Sequence, residues 1–280
     1  MLNLCTQDLH AVGPHLLLLF GLALVISSIG FYRAVYFISI GYAFSMVAMA
    51  IATAFLLRHN LTWASILHNL LLALWGLRLG LYLVRRESQS SYHRELEETH
   101  ERSAGMSWLQ KALIWISVSA LYVAMFSPSL FSLTATSPAP AGLTIALQSL
   151  GLLLLGGGLL LEAVADKQKS DFKAHTPGLF CHVGLYRRVR CPNYLGEITF
   201  WVGNWVMGLL FYVSPLRWIA SAIGLVCIIL IMVGSTKRLE RSQGERYGHL
   251  PEYQQYVRTV PVLFPFVPIY TLKNVRVFLE

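Results

Sequence analysis

An all-α fold, a polytopic membrane helix bundle of seven transmembrane helices with the N-terminus outside and the C-terminus inside, is what this sequence predicts. Three observations carry that expectation. The 280 residues are 55% hydrophobic and only 13% charged, against about 25% charged in a soluble domain. Seven apolar runs, nearly free of charge, approach the roughly 20 residues that a helix needs to cross the hydrocarbon core. Lys and Arg gather in alternate connections, as the positive-inside rule requires of a multi-pass chain.

In chain order the runs are 12–29, 34–57, 63–84, 108–131, 142–165, 195–213 and 217–235. The connections 30–33, 58–62 and 214–216 are so short that the helices they join must be antiparallel neighbours. Segment 132–141, SLTATSPAPA, is uncharged and rich in Pro, Ser and Thr, the character of an outer loop. Ser214-Pro215-Leu216-Arg217 supplies the turn between the last two runs. With the N-terminus outside, all of the 22 Lys and Arg residues except Arg58 and Arg217 fall inside or at inner helix ends. An even number of spans would put the basic 166–194 loop and the basic tail on opposite faces. The stretch 87–104 (ESQSSYHRELEETHERSA) mixes both charge signs at i,i+4 spacing and reads as a solvated helix lying on the interface. The whole chain, 1–280, reads as one transmembrane domain, with 236–280 as a tail on the inner face.

Several classes of function are excluded at this stage. The net charge of +8 marks the inner face of a membrane protein and falls in no nucleic-acid-binding module. Cys5, Cys181, Cys191 and Cys227 form no CxxC pair and have no zinc spacing, so neither a metal site nor a disulfide framework is expected. The N-terminus carries Asp8 and lacks a basic leader, so no cleaved signal peptide is expected.

Polar residues inside apolar runs carry the functional signal. In the third run His68, Trp75, Arg78 and Tyr82 fall within a sector of about 80° at 100° per residue. Such a face either lines a cavity or packs the core, with Arg78 and Tyr82 snorkelling to the inner headgroups. At the end of the fifth run Glu162, Asp166, Lys169 and Lys173 form one stripe about 60° wide with both charge signs. Pairing at i,i+4 accounts for Asp166 with its lysines but not for Glu162, which follows Gly156-Gly157-Gly158-Leu159-Leu160-Leu161. A carboxylate at that depth costs a few kcal/mol unless it is partnered. Arg187, Arg188 and Arg190 come next, then Pro192, Asn193 and Tyr194 opening the sixth run. Proline is at home in a helix's first turn, and that turn's free N–H groups beside arginines suit a phosphate, either a nucleotide's or a lipid's. Glu197 lies one turn from Asn193, with Trp201 and Asn204 continuing the face. In the tail Tyr247, Tyr253 and Tyr256 are spaced to pack together, which would let the tail fold over the inner mouth as a lid.

EAVADKQKSDFK (162–173) followed by GLYRRVRCPNYLGE (184–197) resembles the C-terminal half of the steroid 5α-reductase family, closest to its bacterial branch of unknown substrate. ALWGLRLGLYLVRRE (73–87) resembles that branch's third-span motif, and ERYGHLPEYQQYVRTVPVLFPFVPIY resembles the tail of the sterol C=C reductases. The likeness covers roughly 64–266. It implies a seven-helix bundle that holds NADPH in its cytoplasmic half, in a bacterial inner membrane. The matching cofactor contacts are Glu162, Asp166, Lys173, Arg187, Arg188, Asn193, Tyr194 and Glu197, with Lys237, Arg238 and Glu240 further on; Lys169 and Arg190 join them from the stripe and the arginine cluster. The reaction implied is hydride transfer to the β-carbon of an activated alkene in a lipophilic substrate (steroid, isoprenoid or fatty enone-like), while an acid polarises a carbonyl or protonates the α-carbon. Steroid-reducing members carry an acid in the second span and a tyrosine in the third. Here the second span has no acid, and the tyrosine position reads nearest Trp75. Tyr82, His68 and Tyr42 are the remaining candidates for the proton donor.

A rival resemblance is to the isoprenylcysteine carboxyl methyltransferases, which bind S-adenosylmethionine. They share an Arg-His-Pro-x-Tyr turn, but here Cys191 replaces the His and only Glu240 stands where they carry paired acids. A non-enzymatic lipid-binding protein would leave Glu162 and Glu197 at membrane depth without a role.

Overall fold

Helices account for every regular element among the described residues of the computed structural model, which are 2–87, 105–135, 137 and 139–275. The stretch 88–104, expected as the interface helix, lies outside them. The helices are α1 (Leu2–Ser27), α2 (Ile40–Leu56), α3 (Trp63–Glu87), α4 (Trp108–Thr134), α5 (Ala141–His175), α6 (Pro192–Gly208), α7 (Pro215–Tyr247) and α8 (Pro251–Thr259). Short 3-10 turns occupy the connections, at Ser28–Phe31, Ala34–Phe37, Arg58–Asn60, Gly184–Arg187 and Leu209–Phe211.

Six segments are long and apolar enough to cross a membrane: His10–Phe31, Ala34–Leu56, Trp63–Glu87, Trp108–Thr134, Ala141–His175 and Pro215–Tyr247. They coincide with six of the seven expected runs and make the chain a multi-pass membrane protein. The remaining run, 195–213, is α6, whose 17 residues reach only about 26 Å at 1.5 Å per residue before the 3-10 turn takes over. The side-chain distribution is that of a protein dissolved in lipid. Leu17, Val25, Ile51, Phe55, Leu153 and Leu160 point outward, while Ser45, Ser65, His68, Asn69, Ser119 and Ser129 are buried.

The chain divides into two units. The first comprises residues 1–153 and 204–225; the second comprises 154–203 and 226–280. In the first, α2 and α3 pack closely because Gly76 and Gly80 face them together. A Cβ on Gly76 would stand 2.5 Å from the Ala43 carbonyl oxygen, and one on Gly80 would stand 2.8 Å from the Phe44 ring. Pro128 interrupts α4, and the Ala124 carbonyl that its missing N–H would have bonded accepts instead from Ser127 Oγ at 2.8 Å. Lipid offers no water for such a group, so a nearby hydroxyl is what makes the proline tolerable there. Gly224 lies against the same carbonyl, at 2.6 Å from a built Cβ.

The first unit also contains an ion pair that the sequence reading did not identify. Arg217 Nη2 lies 2.6 Å from Asp8 Oδ1, with only 2% of the arginine exposed. Arg217 Nε donates to both oxygens of Asp8, at 2.9 and 3.1 Å, and Nη1 donates to the carbonyls of Phe131 and Phe211. Ser214 Oγ donates to Asp8 Oδ2 as well. Its guanidinium sits over the Phe131 ring at 5.1 Å. Arg217 is thus bonded through all three guanidinium nitrogens, and it ties α1, the end of α4 and the start of α7 together.

Candidate functional site

The second unit gathers the charged residues. Its centre is the crossing of α5 and α6, where two glycines let the backbones touch. A Cβ on Gly158 would stand 2.5 Å from Phe200 N, and one on Gly196 would stand 2.6 Å from Glu162 N. Glu162 follows Gly158 by one turn and Glu197 follows Gly196 directly, so both acids are carried by the backbone that meets at this crossing. Glu162, Asp166 and Glu197 are all buried, at 3%, 5% and 7% exposure. A buried carboxylate persists only with compensating partners, and each of these three is engaged.

The segment between the two helices is pinned from three sides. Gly184 adopts φ +59°, and its Cα lies so close to Gln168 that a Cβ would meet Oε1 at 2.4 Å. That same Oε1 accepts from Leu185 N at 2.9 Å. A residue with a side chain would suffer both the left-handed backbone and the clash, so glycine is required. From the tail, Tyr256 Oη donates to the Tyr186 carbonyl at 2.7 Å. Arg190 N and Cys191 N donate to the carbonyls of Pro261 and Val262 at 2.9 and 3.1 Å.

The candidate cofactor residues therefore fall into distinct environments. Arg187 and Arg188 are exposed and make no ion pair among the described residues. Lys169, Asn193 and Tyr194 are half-buried, and Lys169 lies near enough to Cys181 and Cys191 to favour their thiolates electrostatically. Lys237 is half-buried and Arg238 exposed, where it donates to Ser235 Oγ at 3.1 Å. Lys173 donates to the Pro177 and Leu179 carbonyls and, at 2.7 Å, to Tyr247 Oη, closing the end of α5. Arg190, 4% exposed, pairs with Glu240 at 3.4 Å and donates to the Tyr270 carbonyl. Glu240 accepts in turn from Leu272 N at 2.9 Å. Arg190 and Glu240 thus hold the tail, which sequence spacing alone did not reveal. Tyr247, Tyr253 and Tyr256 do pack, and the ring they converge on is Phe180, with centroids 6.0, 5.1 and 5.0 Å away.

Burial dominates the acid–base character of the thiols outside the spans. It pushes the Cys191 thiol up to about 12 despite the neighbouring Arg190 and Lys169, and it raises Cys181 and Tyr253 as well. Neither thiol is a nucleophile at neutral pH.

The first unit holds the residues considered for substrate chemistry. His68 is fully buried, and Nε2 lies 2.8 Å from Asn204 Oδ1. Asn204 Nδ2 donates to the Met125 carbonyl at 2.9 Å. A carbonyl only accepts, so the amide's oxygen faces His68 and the ring proton must sit on Nε2. Nδ1 is then a bare acceptor, with no hydrogen-bond partner among the described residues. In this tautomer His68 receives a proton or a hydrogen bond at Nδ1 and has none to give there. Beside it, Asn69 Oδ1 accepts from Ser129 Oγ at 3.2 Å. Trp75 is fully buried and meets Tyr42 edge to face at 5.1 Å, and Tyr42 stacks on Tyr122 at 5.3 Å. Tyr82 is half-buried, packed against the cluster of Tyr36, Ile40 and Leu83.

Fold and site together define a multi-pass helical membrane protein with a charged, tail-bound centre at one helix crossing. The chain belongs to the family described as "protein of unknown function (DUF1295)", which it matches over residues 27–260. That family is loosely related to steroid 5α-reductase-like proteins. No curated protein and no solved structure matches the chain in the same comparisons. Among the described residues, no cluster of three or more His, Cys, Asp or Glu could hold a metal ion.

Proposed function

We propose that this protein is an NADPH-dependent membrane oxidoreductase that reduces a C=C bond of a lipophilic substrate. The observation that carries the reading is the meeting, within one unit, of the α5 acid–base stripe with the arginine-bearing turn that opens α6. The residues there suit the cofactor's chemistry. Arg187 and Arg188 offer exposed guanidinium groups for phosphates, next to a helix N-terminus that begins with Pro192. Asn193, half-buried on the first turn, both donates and accepts, as a carboxamide or adenine partner must. Glu162, Asp166 and Glu197 are the buried acids of the same unit, and Lys169, Tyr194 and Lys237 are among its half-buried polar residues. Lys173, Arg190 and Glu240 shape the site by fixing the tail. When bound, the cofactor supplies the hydride. The chain's part is to orient it and to exclude water; of the residues weighed for polarising the substrate, Tyr82 and Trp75 carry a proton to donate, and His68 offers only the Nδ1 acceptor.

We further read α6 as the seventh span, short but bounded by a polar loop on one side and Ser214-Pro215 on the other. That count puts the N-terminus outside and the C-terminus, with the cofactor residues, in the cytoplasm, where soluble nucleotide is available. Support comes from Arg217: one of the two cations at odds with the charge rule is neutralised by Asp8 and sends no topological signal. A bacterial inner membrane, with its lipids as the surrounding partners, is the host this reading favours.

Titrating the detergent-purified chain with NADPH, NADH and S-adenosylmethionine tests the reading. NADPH is expected to bind with a Kd of a few micromolar or tighter, about −8 kcal/mol. Asn193→Ala and Glu197→Ala should each weaken it about tenfold or more, with the helical fold preserved. Tight S-adenosylmethionine binding without any response to NADPH would overturn the reductase in favour of a membrane methyltransferase. Normal NADPH binding by both variants would move the site elsewhere.

A further inference from the structure

The tail beyond α8 carries a set of apolar side chains that its own fold turns outward. Val262, Leu263 and Leu272 are buried, at 1%, 2% and 8% exposure. Between them Phe264, Phe266, Val267, Ile269 and Tyr270 are exposed, at 39%, 96%, 42%, 41% and 40%. This protrusion has a defined shape. Val262 N donates to the Ile269 carbonyl at 2.9 Å and closes the loop at its base. Val267 N donates to the Phe264 carbonyl at 3.2 Å, and Ile269 N to the Val267 carbonyl at 2.7 Å, which tightens the tip. Pro265 and Pro268 restrict what remains. The chain has folded so as to present these rings, which in water would be unfavourable.

Where the loop is moored says what receives them. One mooring is at Arg190 and Cys191, whose N–H groups donate to the Pro261 and Val262 carbonyls, immediately before α6 begins at Pro192. The other is Glu240 of α7, which accepts from Leu272 N at 2.9 Å. Glu240 follows Lys237 and Arg238, the first cations after the apolar run of α7. The loop therefore hangs from points where apolar helix gives way to polar chain, which is the level of the bilayer surface. Lys273, exposed, follows at the loop's base, the usual companion of rings that sit at the headgroup level.

We propose that the loop 264–270 is an interfacial anchor that inserts into the lipid leaflet on its side of the membrane, with Phe266 at the tip reaching the boundary between headgroups and acyl chains. Such insertion reaches about 5–10 Å below the surface. Because Arg190 and Glu240 hold both the loop and the segment before α6, the anchor fixes the tail over the charged centre by way of the membrane. The inference rests on exposure and backbone geometry alone and does not depend on the cofactor reading.

Depth measurement by spin labelling tests it. A nitroxide is placed on Phe266→Cys in the full chain with Cys5 and Cys227 changed to Ala, reconstituted in phosphatidylcholine–phosphatidylglycerol vesicles. Val267→Cys and Tyr270→Cys provide independent positions, and Glu252→Cys on exposed α8 is the aqueous reference. The ratio of oxygen to water-soluble nickel-chelate collision rates should be at least about threefold higher at 266 than at 252, as for a group below the headgroups. A ratio equal to the reference would show the loop in water and overturn the proposal. An immobile label that neither reagent reaches would show a protein contact instead, and would overturn it equally.

Discussion

Asn204 illustrates how a single residue settles another's chemistry. Its amide is oriented by the Met125 carbonyl, and that orientation alone places the His68 proton on Nε2. Among the candidates for the proton donor, His68 is thereby cast as an acceptor, and Tyr82 and Tyr42 retain hydroxyl protons to give. Cys191 is the residue whose behaviour can be forecast most directly. Burial raises its thiol from the ordinary 9.0 to about 12, so the folded state favours the neutral form. Its contribution to stability is complete below about pH 9 and is lost as pH rises from there towards 12, because the unfolded thiol ionises first. The unfolding midpoint in detergent should accordingly hold level between about pH 7 and 9 and fall above that. At pH 8 a maleimide should modify Cys191 in the folded chain at least about a hundredfold more slowly than a free thiol. Rapid modification would show that this turn opens.

Helices here meet through their smallest residues, and the three consecutive glycines of α5 make the point testable within one element. Gly156 and Gly157 have nothing within 4 Å of a built Cβ, whereas Gly158 has Phe200 N at 2.5 Å and the Gly196 carbonyl oxygen at 2.7 Å. Gly156→Ala should be neutral or stabilise by up to about 1 kcal/mol, through helix propensity. Gly158→Ala, two residues on, should destabilise by about 1–3 kcal/mol because backbone atoms must move apart. Denaturant unfolding of the two variants in matched detergent checks the difference in sign. Glu162 and Glu197 ride on this crossing, so Gly158→Ala should also weaken nucleotide binding, while Gly156→Ala should leave it unchanged. Gly156-Gly157-Gly158 was legible in the sequence only as part of the apolar run that places Glu162 at depth. Which of the three glycines mattered was not, since that depends on the rotation at which α6 arrives.

For the molecule as a whole, the buried pair of Asp8 and Arg217 joins residues more than 200 positions apart. Removing one partner strands the other in an apolar surround, so Asp8→Asn or Arg217→Met alone should cost about 3–5 kcal/mol. The double variant should recover most of that loss, because no unpaired charge remains. Thermal unfolding of the unsubstituted protein and the three variants forms the cycle, and simple additivity would show that the pair is uncoupled.

Six membrane-crossing segments could be read from the chain because lipid leaves an apolar run no alternative to the helix, which satisfies its own backbone. The α5 stripe could be read too, since helical periodicity is a local property. What the residues of that stripe touch was beyond local reading. Lys173 and Arg190 looked alike as cations near a turn, yet Lys173 bonds the loop after its own helix and Tyr247, Arg190 bonds Glu240 and the Tyr270 carbonyl, and Arg187 and Arg188 remain exposed. Asp8 and Arg217 carried no periodic signal and were visible only as stray charges. The reason is physical: a span requires only its own sequence, but a buried charge requires a partner, and which residue becomes that partner is decided by how the helices cross.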